Sequence, residues 1–410
     1  MTRYDVVVIG GGPAGLMAAG RAAELDARVL LLEKNQKLGI KLLMTGGGRC
    51  NFTNNSPTRL LAEAYGVNGS WLLAGLSRFG PTEIIKFLEE RGVRTRLEDG
   101  GRIFPQSNQA SEILKVLTDY VKSNGTKIKT KSPVVKIIKE RNRIIKVVLA
   151  DQTEITATNF IIAAGGKSYP LSGSSGDAYT WLSELGHKVV NPQAGLCLIK
   201  VKENVKELEG LSLSGAQIKL YLDIKKISAE AGDFIFTSRG LSGPAALNLS
   251  RIIARQGIGN LKIKIDFSPD ETTEDLDRKI QRLLVENKQM AIKNILSKLY
   301  PARLVIFALT QTKINPAKKG NGLTRLERKA LVSFFKEFNL QIMSLGGFNE
   351  AMITVGGVDL KEVDPKTMVS KIISNLYLAG EVLNLDGPTG GYNLQIAWTT
   401  GYLAGDNAAK

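Results

Sequence analysis

Val6-Val7-Val8-Ile9-Gly10-Gly11-Gly12-Pro13-Ala14-Gly15 decides the fold. Four consecutive β-branched residues are what a parallel strand buried on both faces requires, and they run directly into glycine. A small-residue helix is expected over 16–25, with Ala18, Ala19, Ala22 and Ala23, and Val29-Leu30-Leu31-Leu32 reads as a second strand ending at Glu33. The spacing is Gly10-x-Gly12-x-x-Gly15, with an acid 18 residues beyond the last glycine. Within such a unit one glycine makes the tight turn, one lets a pyrophosphate approach the backbone, and one lets helix pack on strand. The helix N-terminus, with Pro13 and Ala14 in its first turn, then stabilises the phosphates, and Glu33 accepts from a ribose diol. A carboxylate there repels a 2′-phosphate, which favours FAD or NAD over NADP.

Further along, residues 41–51 read KLLMTGGGRCN. The run Thr45-Gly46-Gly47-Gly48-Arg49-Cys50-Asn51 is too glycine-rich for helix or strand; its amides can converge on an anion or lie flat against a planar ring, and Arg49 adds a fixed charge. No second cysteine follows Cys50 nearby, so dithiol chemistry is disfavoured and a small packed residue is expected. At the far end, Asn375-Leu376-Tyr377-Leu378-Ala379-Gly380-Glu381 is another buried strand closed by glycine and an acid. It leads through Leu385-Asp386-Gly387-Pro388-Thr389-Gly390-Gly391-Tyr392-Asn393 into a helix over 394–409. An acid at a strand end suits a polyol chain, and a helix N-terminus behind paired glycines suits a polarised ring oxygen. A ribityl chain and a flavin carbonyl satisfy both, which selects FAD over NAD.

Between these ends, residues 127–166 alternate as KIKTK, VVKIIKE, RIIKVVLA and EITATNFIIAAGG, a small meander by their period of two. The stretch closes on Ala163-Ala164-Gly165-Gly166. No second glycine fingerprint follows it: Gly173-Ser174-Ser175-Gly176-Asp177 lacks a preceding apolar strand and reads as a helix start. From 191 to 346, strand-like runs at 196–201 and 218–227 coexist with helical spacing at 274–300 and 325–338.

Composition narrows the chemistry. The chain has 410 residues, 43% apolar and 23% charged, with one histidine, two cysteines and a net charge of +16. That is an ordinary globular composition for two or three domains, with no multi-histidine metal site and no CxxC pair. His187 sits at an expected helix end and reads as structural. Hard redox chemistry therefore falls to an organic cofactor. The lysine-rich stretches 115–146 and 313–336 read as a solvated face and a mobile loop; they interleave few aromatics, which speaks against a nucleic-acid surface. No run approaches the roughly 20 apolar residues that span a bilayer, and the glycines at 10–15 break up any export signal, so a soluble, cytoplasmic protein is expected.

Together GGGPAG, TGGGRCN, GRIFPQS, IIAAGGKSYP, GSSGDAY, LSGPAALNLS, AMITVGGV and LAGEVLNLDGPTGGYNLQIAW resemble the bacterial NAD(P)/FAD-dependent oxidoreductase family that includes aminoacetone-oxidase-like and bile-acid-reductase-like flavoproteins. The resemblance covers nearly the whole chain, and TGGGRCN and GPTGGYNLQ are its most specific parts. It implies an α/β fold: a Rossmann-type FAD-binding domain from 1–190 and 346–410, an inserted β-rich substrate domain from 191–268 and about 320–345, and a small helical domain from 269–319. The implied cofactor set is Gly10, Gly12, Pro13, Ala14, Gly15, Glu33, Lys34, Lys41, Thr45, Gly46, Gly47, Gly48, Arg49, Cys50, Asn51, Ala164, Gly165, Gly380, Glu381, Asp386, Gly391, Tyr392 and Asn393. Ser238 stands where the family commonly has a histidine, so that histidine's acid–base role does not carry over. Ser238, Arg239 and Cys50 remain as catalytic candidates, with Phe234 and Thr237 beside them.

The activity expected is hydride transfer between FAD and a small organic substrate, with NAD(P)H or O2 as second partner. Lacking its own fingerprint, NAD(P)H would dock only transiently. Two alternatives differ in class: a tRNA-modifying flavoprotein, which would use the basic excess, and a FAD-stabilised regulator without turnover.

Overall fold

The computed structural model describes residues 4–410, which divide into two compact bodies: one runs to Gly195 and resumes at Phe348, and the other is Leu196–Gly347. The first is built on a five-stranded parallel sheet in the order Leu376–Leu378, Ala157–Ile162, Tyr4–Ile9, Val29–Leu32, Lys127–Lys129. Val6, Val7 and Val8 are fully buried at its centre, as their unbroken β-branched run requires.

One strand differs from the sequence reading. Lys127–Lys129 is the outer strand of the parallel sheet, pairing Leu30 with Lys127, and the antiparallel meander begins only at Val134–Glu140. The helix Ala110–Ser123 makes the crossover that a parallel partner needs. An edge strand alternates because one of its faces is wet, so KIKTK carried the signature of a meander strand.

The opening helix Pro13–Glu24 packs along the C-terminal helix Tyr392–Ala408. A Cβ on Gly401 would lie 2.4 Å from the Ala14 carbonyl oxygen, and one on Gly405 would lie 2.3 Å from that of Ala18, so two glycines four residues apart let the backbones approach. The contact ends in a charge cluster. Asp406, nearly fully buried, accepts from Arg21 at 2.6 Å, Arg78 at 2.7 Å and Lys410 at 2.9 Å. His187 is also buried, between Glu362 at 3.0 Å and Ser370 at 2.9 Å, and burial holds its pKa below the usual imidazole value. Its role is structural.

In the second body, eight antiparallel strands run Ser212–Leu213, Phe234–Thr237, Gly240–Ser242, Ile199–Val201, Phe338–Leu345, Leu261–Asp266, Gln217–Leu222, Lys225–Ala231. The helices Thr273–Glu286 and Ala302–Gln311 share one hydrophobic core with this sheet: Leu276, Ile280, Leu304 and Phe307 join Ile218, Ile263 and Leu340. The residues around 269–319 thus form no separate helical body, and the seam lies at 195/196 and 347/348 rather than at 190/191 and 345/346. The strand Val189–Gly195 stays with the first body, paired with Ile353–Val358. The lysine-rich segment at 313–322, expected to be a mobile loop, is instead tied down. Lys318 binds Glu327 at 2.6 Å, and the Gly320 amide donates to the Met290 carbonyl at 3.0 Å. Among the described residues no helix is long and apolar enough to cross a membrane.

Burial pushes the Asp406 carboxyl up, but hydrogen bonds from Arg21 and Lys410 and the charges of Arg21 and Arg78 hold it below the usual range. Its contribution is therefore present above the unfolded aspartate value of about 3.9 and lost as pH falls through the lower folded value. Asp406→Asn is expected to cost about 2 kcal/mol at neutral pH, a figure kept modest because Arg78 and Lys410 are half exposed. In urea melts the gap between variant and wild type should narrow towards pH 3; a gap independent of pH would exclude the assignment.

Candidate cofactor site

The glycine turn is held from both sides. Gly10 has φ +110°, and a Cβ on Gly15 would lie 1.8 Å from the Gly10 carbonyl oxygen, so no side chain fits between strand and helix there. Gly12 caps the helix in extended conformation and Pro13 is its first residue; Leu16 donates to the Gly12 carbonyl at 2.9 Å. The amides of Ala14 and Gly15 precede that first intrahelical bond and have no acceptor within the helix. A Cβ on Gly12 would meet no atom within 4 Å, so the approach to these amides is open. Glu33, almost wholly buried, accepts from the Gly11 amide and from the Asn35 amide, each at 2.7 Å. Each carboxylate oxygen keeps a second lone pair for a ribose hydroxyl.

Other parts of the chain close on this turn. The backbone at Ala163 and Ala164 passes within 2.8 Å of where a Gly10 Cβ would be, and a Gly380 Cβ would stand 2.8 Å from the Ala14 methyl group. Gly165 and Gly380 both have φ near +75°, as their turns require. The Gly380 amide donates to Thr400 Oγ1 at 2.9 Å, which fixes the Leu376–Leu378 strand end on the C-terminal helix.

Beside it lies a polar cluster. Lys41 Nζ donates to Ser168 Oγ and to Glu381 Oε2, both at 2.6 Å. Glu381 Oε1 accepts from Ser168 Oγ and from the Thr354 amide, both at 2.7 Å. Four distant segments thus meet at one carboxylate. Ser168 and Thr354 were not singled out from sequence, although both lie in quoted motifs, IIAAGGKSYP and AMITVGGV.

The TGGGRCN segment is irregular where expected: Gly46, Gly47 and Gly48 have φ of 57°, 65° and 89°. A short helical turn, Ile40–Met44, precedes it, and Thr45 Oγ1 donates back to the Leu42 carbonyl at 2.6 Å. Asn51, with its amide oriented by its surroundings, donates to the carbonyls of Thr53 and Ile103 and accepts from the Gly391 amide at 3.2 Å. This joins TGGGRCN to GPTGGYN. Asn393 Nδ2 donates to the carbonyls of Gly387 and Pro388 at 2.9 and 3.1 Å, clamping the loop that contains buried Asp386. The Tyr392 carbonyl accepts from Tyr65 Oη at 3.1 Å, and Gly391 caps the C-terminal helix at φ +98°.

Two side chains have their charge engaged elsewhere. Arg49, expected to add a fixed charge at the glycines, pairs with Glu98, donates to Asn108 at 2.9 Å and stacks over Phe104 at 4.1 Å. Lys34 pairs with Asp177 at 2.7 Å and reaches Ser175. Of the catalytic candidates, Cys50 is fully buried and burial pushes its thiol up to about 12, which favours the neutral thiol over the thiolate. Ser238 and Arg239 form the exposed turn between Phe234–Thr237 and Gly240–Ser242 in the second body, with Thr237 at its edge. Phe234, read as a residue that could reach the ring, is buried in that body's core.

The residues present fit FAD. Open amides of Ala14 and Gly15 at a helix N-terminus suit a pyrophosphate, Glu33 suits the adenosine ribose, and the Lys41–Glu381 pair offers both a donor and a carboxylate to a polyol. Burial pushes the Glu381 carboxyl up, and Lys41, Ser168 and the Thr354 amide hold it below its ordinary value. Lys41→Met removes the opposing charge and leaves burial dominant, so the folded pKa of Glu381 rises above the unfolded one. The variant's deficit in Tm relative to wild type should then be larger at pH 8 than at pH 5, because an unpaired carboxylate is costly only while ionised. A deficit equal at both pH values would contradict the pairing.

Comparison with known proteins places the chain. Residues 4–407 match the family described as HI0933-like protein Rossmann domain. The chain is 31% identical over 410 residues to 3-dehydro-bile acid delta(4,6)-reductase of Clostridium scindens, covering 98% of each protein. It is 30% identical over 407 residues to ribosomal RNA dihydrouridine synthase of Haemophilus influenzae, again covering 98% of each. Among solved structures, 3-ketosteroid-delta4-(5alpha)-dehydrogenase of Rhodococcus jostii RHA1 aligns over 100% of this chain and 97% of its own with a TM-score of 0.55 and 15% identity, a likeness of fold alone. The chain belongs to the HI0933-like Rossmann family and is a FAD-binding oxidoreductase.

Proposed function

We propose that the protein reduces a carbon–carbon double bond conjugated to a carbonyl, with NAD(P)H as the reductant of its flavin. The single observation that carries the reading is that the described residues contain one dinucleotide turn and one parallel sheet, in the first body, while the second body's sheet is wholly antiparallel. A nicotinamide therefore has no dedicated fold here and acts as a transient co-substrate. Bound FAD would supply hydride transfer at its isoalloxazine ring.

The names of the two relatives support the reaction class. A delta(4,6)-reductase of a 3-dehydro-bile acid and a dihydrouridine synthase both add hydrogen across a double bond in conjugation with a carbonyl. This chain's residues hold the cofactor rather than attack the substrate. The Gly10–Gly15 turn binds phosphate, Lys41 and Glu381 orient the polyol, and the buried thiol of Cys50 takes no part. Cys50→Ala should accordingly retain wild-type turnover to within about threefold.

A second reading of the substrate, a uracil within RNA, is favoured by one observation. Residues 196–347 hold 25 Lys and Arg against 15 Asp and Glu, ten of the sixteen net positive charges in little more than a third of the chain. Six of those ten lie in the lysine-rich stretch 313–336, while the stretch 115–146, in the first body, carries a net charge of +8.

Anaerobic mixing tests the reading. NADH or NADPH should bleach the flavin absorption band, and a conjugated enone or a uridine-containing RNA should then restore it with the saturated product formed. Bleaching by neither nicotinamide, or reoxidation by O2 alone, would overturn it.

A further inference from the structure

In the second body, the sheet presents one face to the core and the other to solvent. On Gln217–Leu222 the core residues are Ile218 and Leu220; on Leu261–Asp266 they are Leu261, Ile263 and Ile265; on Phe338–Leu345 they are Leu340 and Ile342. The alternate positions form the opposite face. Register places them side by side: Lys219 pairs with Lys264, Tyr221 with Lys262 and with Lys226, and Lys262 with Gln341. Lys200, opposite the buried Ile199, and Lys202, whose amide donates to Gln341, extend the row across the next strand.

Like-charged residues directly opposite one another on a sheet are destabilising unless something offsets them. Here the offset is partial. Lys219 binds Asp266 at 3.0 Å and Lys264 binds Glu337 at 2.9 Å. Lys200, Lys202, Lys226 and Lys262 have no carboxylate partner among the described residues. The face also has what a bare counter-ion surface lacks. Tyr221 lies in the middle of the lysines, with Lys264 Nζ 5.1 Å from its ring centroid, and Gln217, Asn339 and Gln341 stand at neighbouring positions. Lysines that follow a phosphate backbone, one aromatic ring and side-chain amides with donors and acceptors together match single-stranded RNA. An anionic membrane calls instead for a cluster of apolar residues that insert; here Met343 stands alone on its strand, and Leu222 and Ile224 are exposed only at the hairpin tip at the edge of the sheet, so vesicle binding is an arm of the test.

We propose that this solvent face, centred on Tyr221 and on Lys200, Lys202, Lys226 and Lys262, is a docking surface for single-stranded RNA. The proposal rests on the RNA reading of the substrate given above, and its test separates the two.

The probe is a fluorescein-labelled, uridine-rich single-stranded RNA of about 20 nucleotides, long enough to span several strands at their spacing of roughly 5 Å, with binding to the FAD-loaded full chain followed by anisotropy at several salt concentrations. Four phosphate contacts predict a log–log slope of about −3 for the wild type. Lys200→Glu/Lys202→Glu/Lys226→Glu/Lys262→Glu should bring the slope near zero and weaken low-salt binding by at least tenfold. Tyr221→Ala should weaken binding several-fold with the slope unchanged. Lys288→Glu/Lys293→Glu/Lys329→Glu, the same kind of reversal at exposed lysines elsewhere in this body, should bind as wild type. The proposal is overturned if wild type does not bind the RNA, if the control weakens binding as much as the quadruple variant, or if vesicles containing phosphatidylserine bind and RNA does not. In each of those cases reoxidation of the reduced flavin by the same RNA at saturating concentration reports separately on the RNA reading: reoxidation without dependence on these lysines overturns the surface alone, and no reoxidation overturns the reading.

Discussion

Contact between the first helix and the last is the constraint on which the structure depends. Arg21 and Asp406 are separated by 385 positions, yet they share hydrogen bonds of 2.6 and 3.0 Å beside a backbone approach that only glycine permits. That contact brings the Leu376–Leu378 strand end, with Gly380 and Glu381, to the glycine turn of the first strand. A site assembled from both chain ends requires it, because neither end has all of the parts. The turn offers open amides and the buried carboxylate of Glu33, the 380s offer a second carboxylate, and Lys41 supplies the cation that pairs with it.

The cluster at Glu381 shows how such a site balances opposing terms. A carboxylate withdrawn from water is costly, and one lysine, one hydroxyl and one amide offset the cost. The same three donors come from three segments, so the cluster also fixes their mutual positions. Arg49 illustrates the converse. Its guanidinium, engaged by Glu98 and Asn108 and stacked on Phe104, acts as a brace for the glycine loop rather than as a free charge. The loop itself offers backbone groups, which is what three successive left-handed glycines provide.

Much of this was legible in the sequence, for reasons that differ by segment. Val6–Ile9 and the glycines after it follow a local rule, period and spacing, and local rules survive folding. The motif ends at Glu33 and Glu381 were also visible, since an acid at a strand terminus beside glycine has few other uses. What sequence did not disclose was long-range. KIKTK alternates like a meander strand, and only its pairing with Leu30–Leu32 reveals a parallel edge. Ser168 and Thr354 carry no signal until a third residue, Glu381, is placed between them. Gly401 and Gly405 look like ordinary helix residues of low propensity until the opening helix is laid against them. The distribution of charge is a property of this kind too. Lysines scattered along four strands become a row only through register, which linear stretches such as 115–146 and 313–336 do not reveal.

The central claim is that one dinucleotide, FAD, is held permanently by the first body while any nicotinamide visits only in passing. Stoichiometry tests it most directly. The protein, incubated with excess FAD and excess NADPH and then passed through exhaustive gel filtration, should retain one FAD per chain and no nicotinamide. Recovery of the chain without flavin, or with a stoichiometric nicotinamide still bound, would contradict the account.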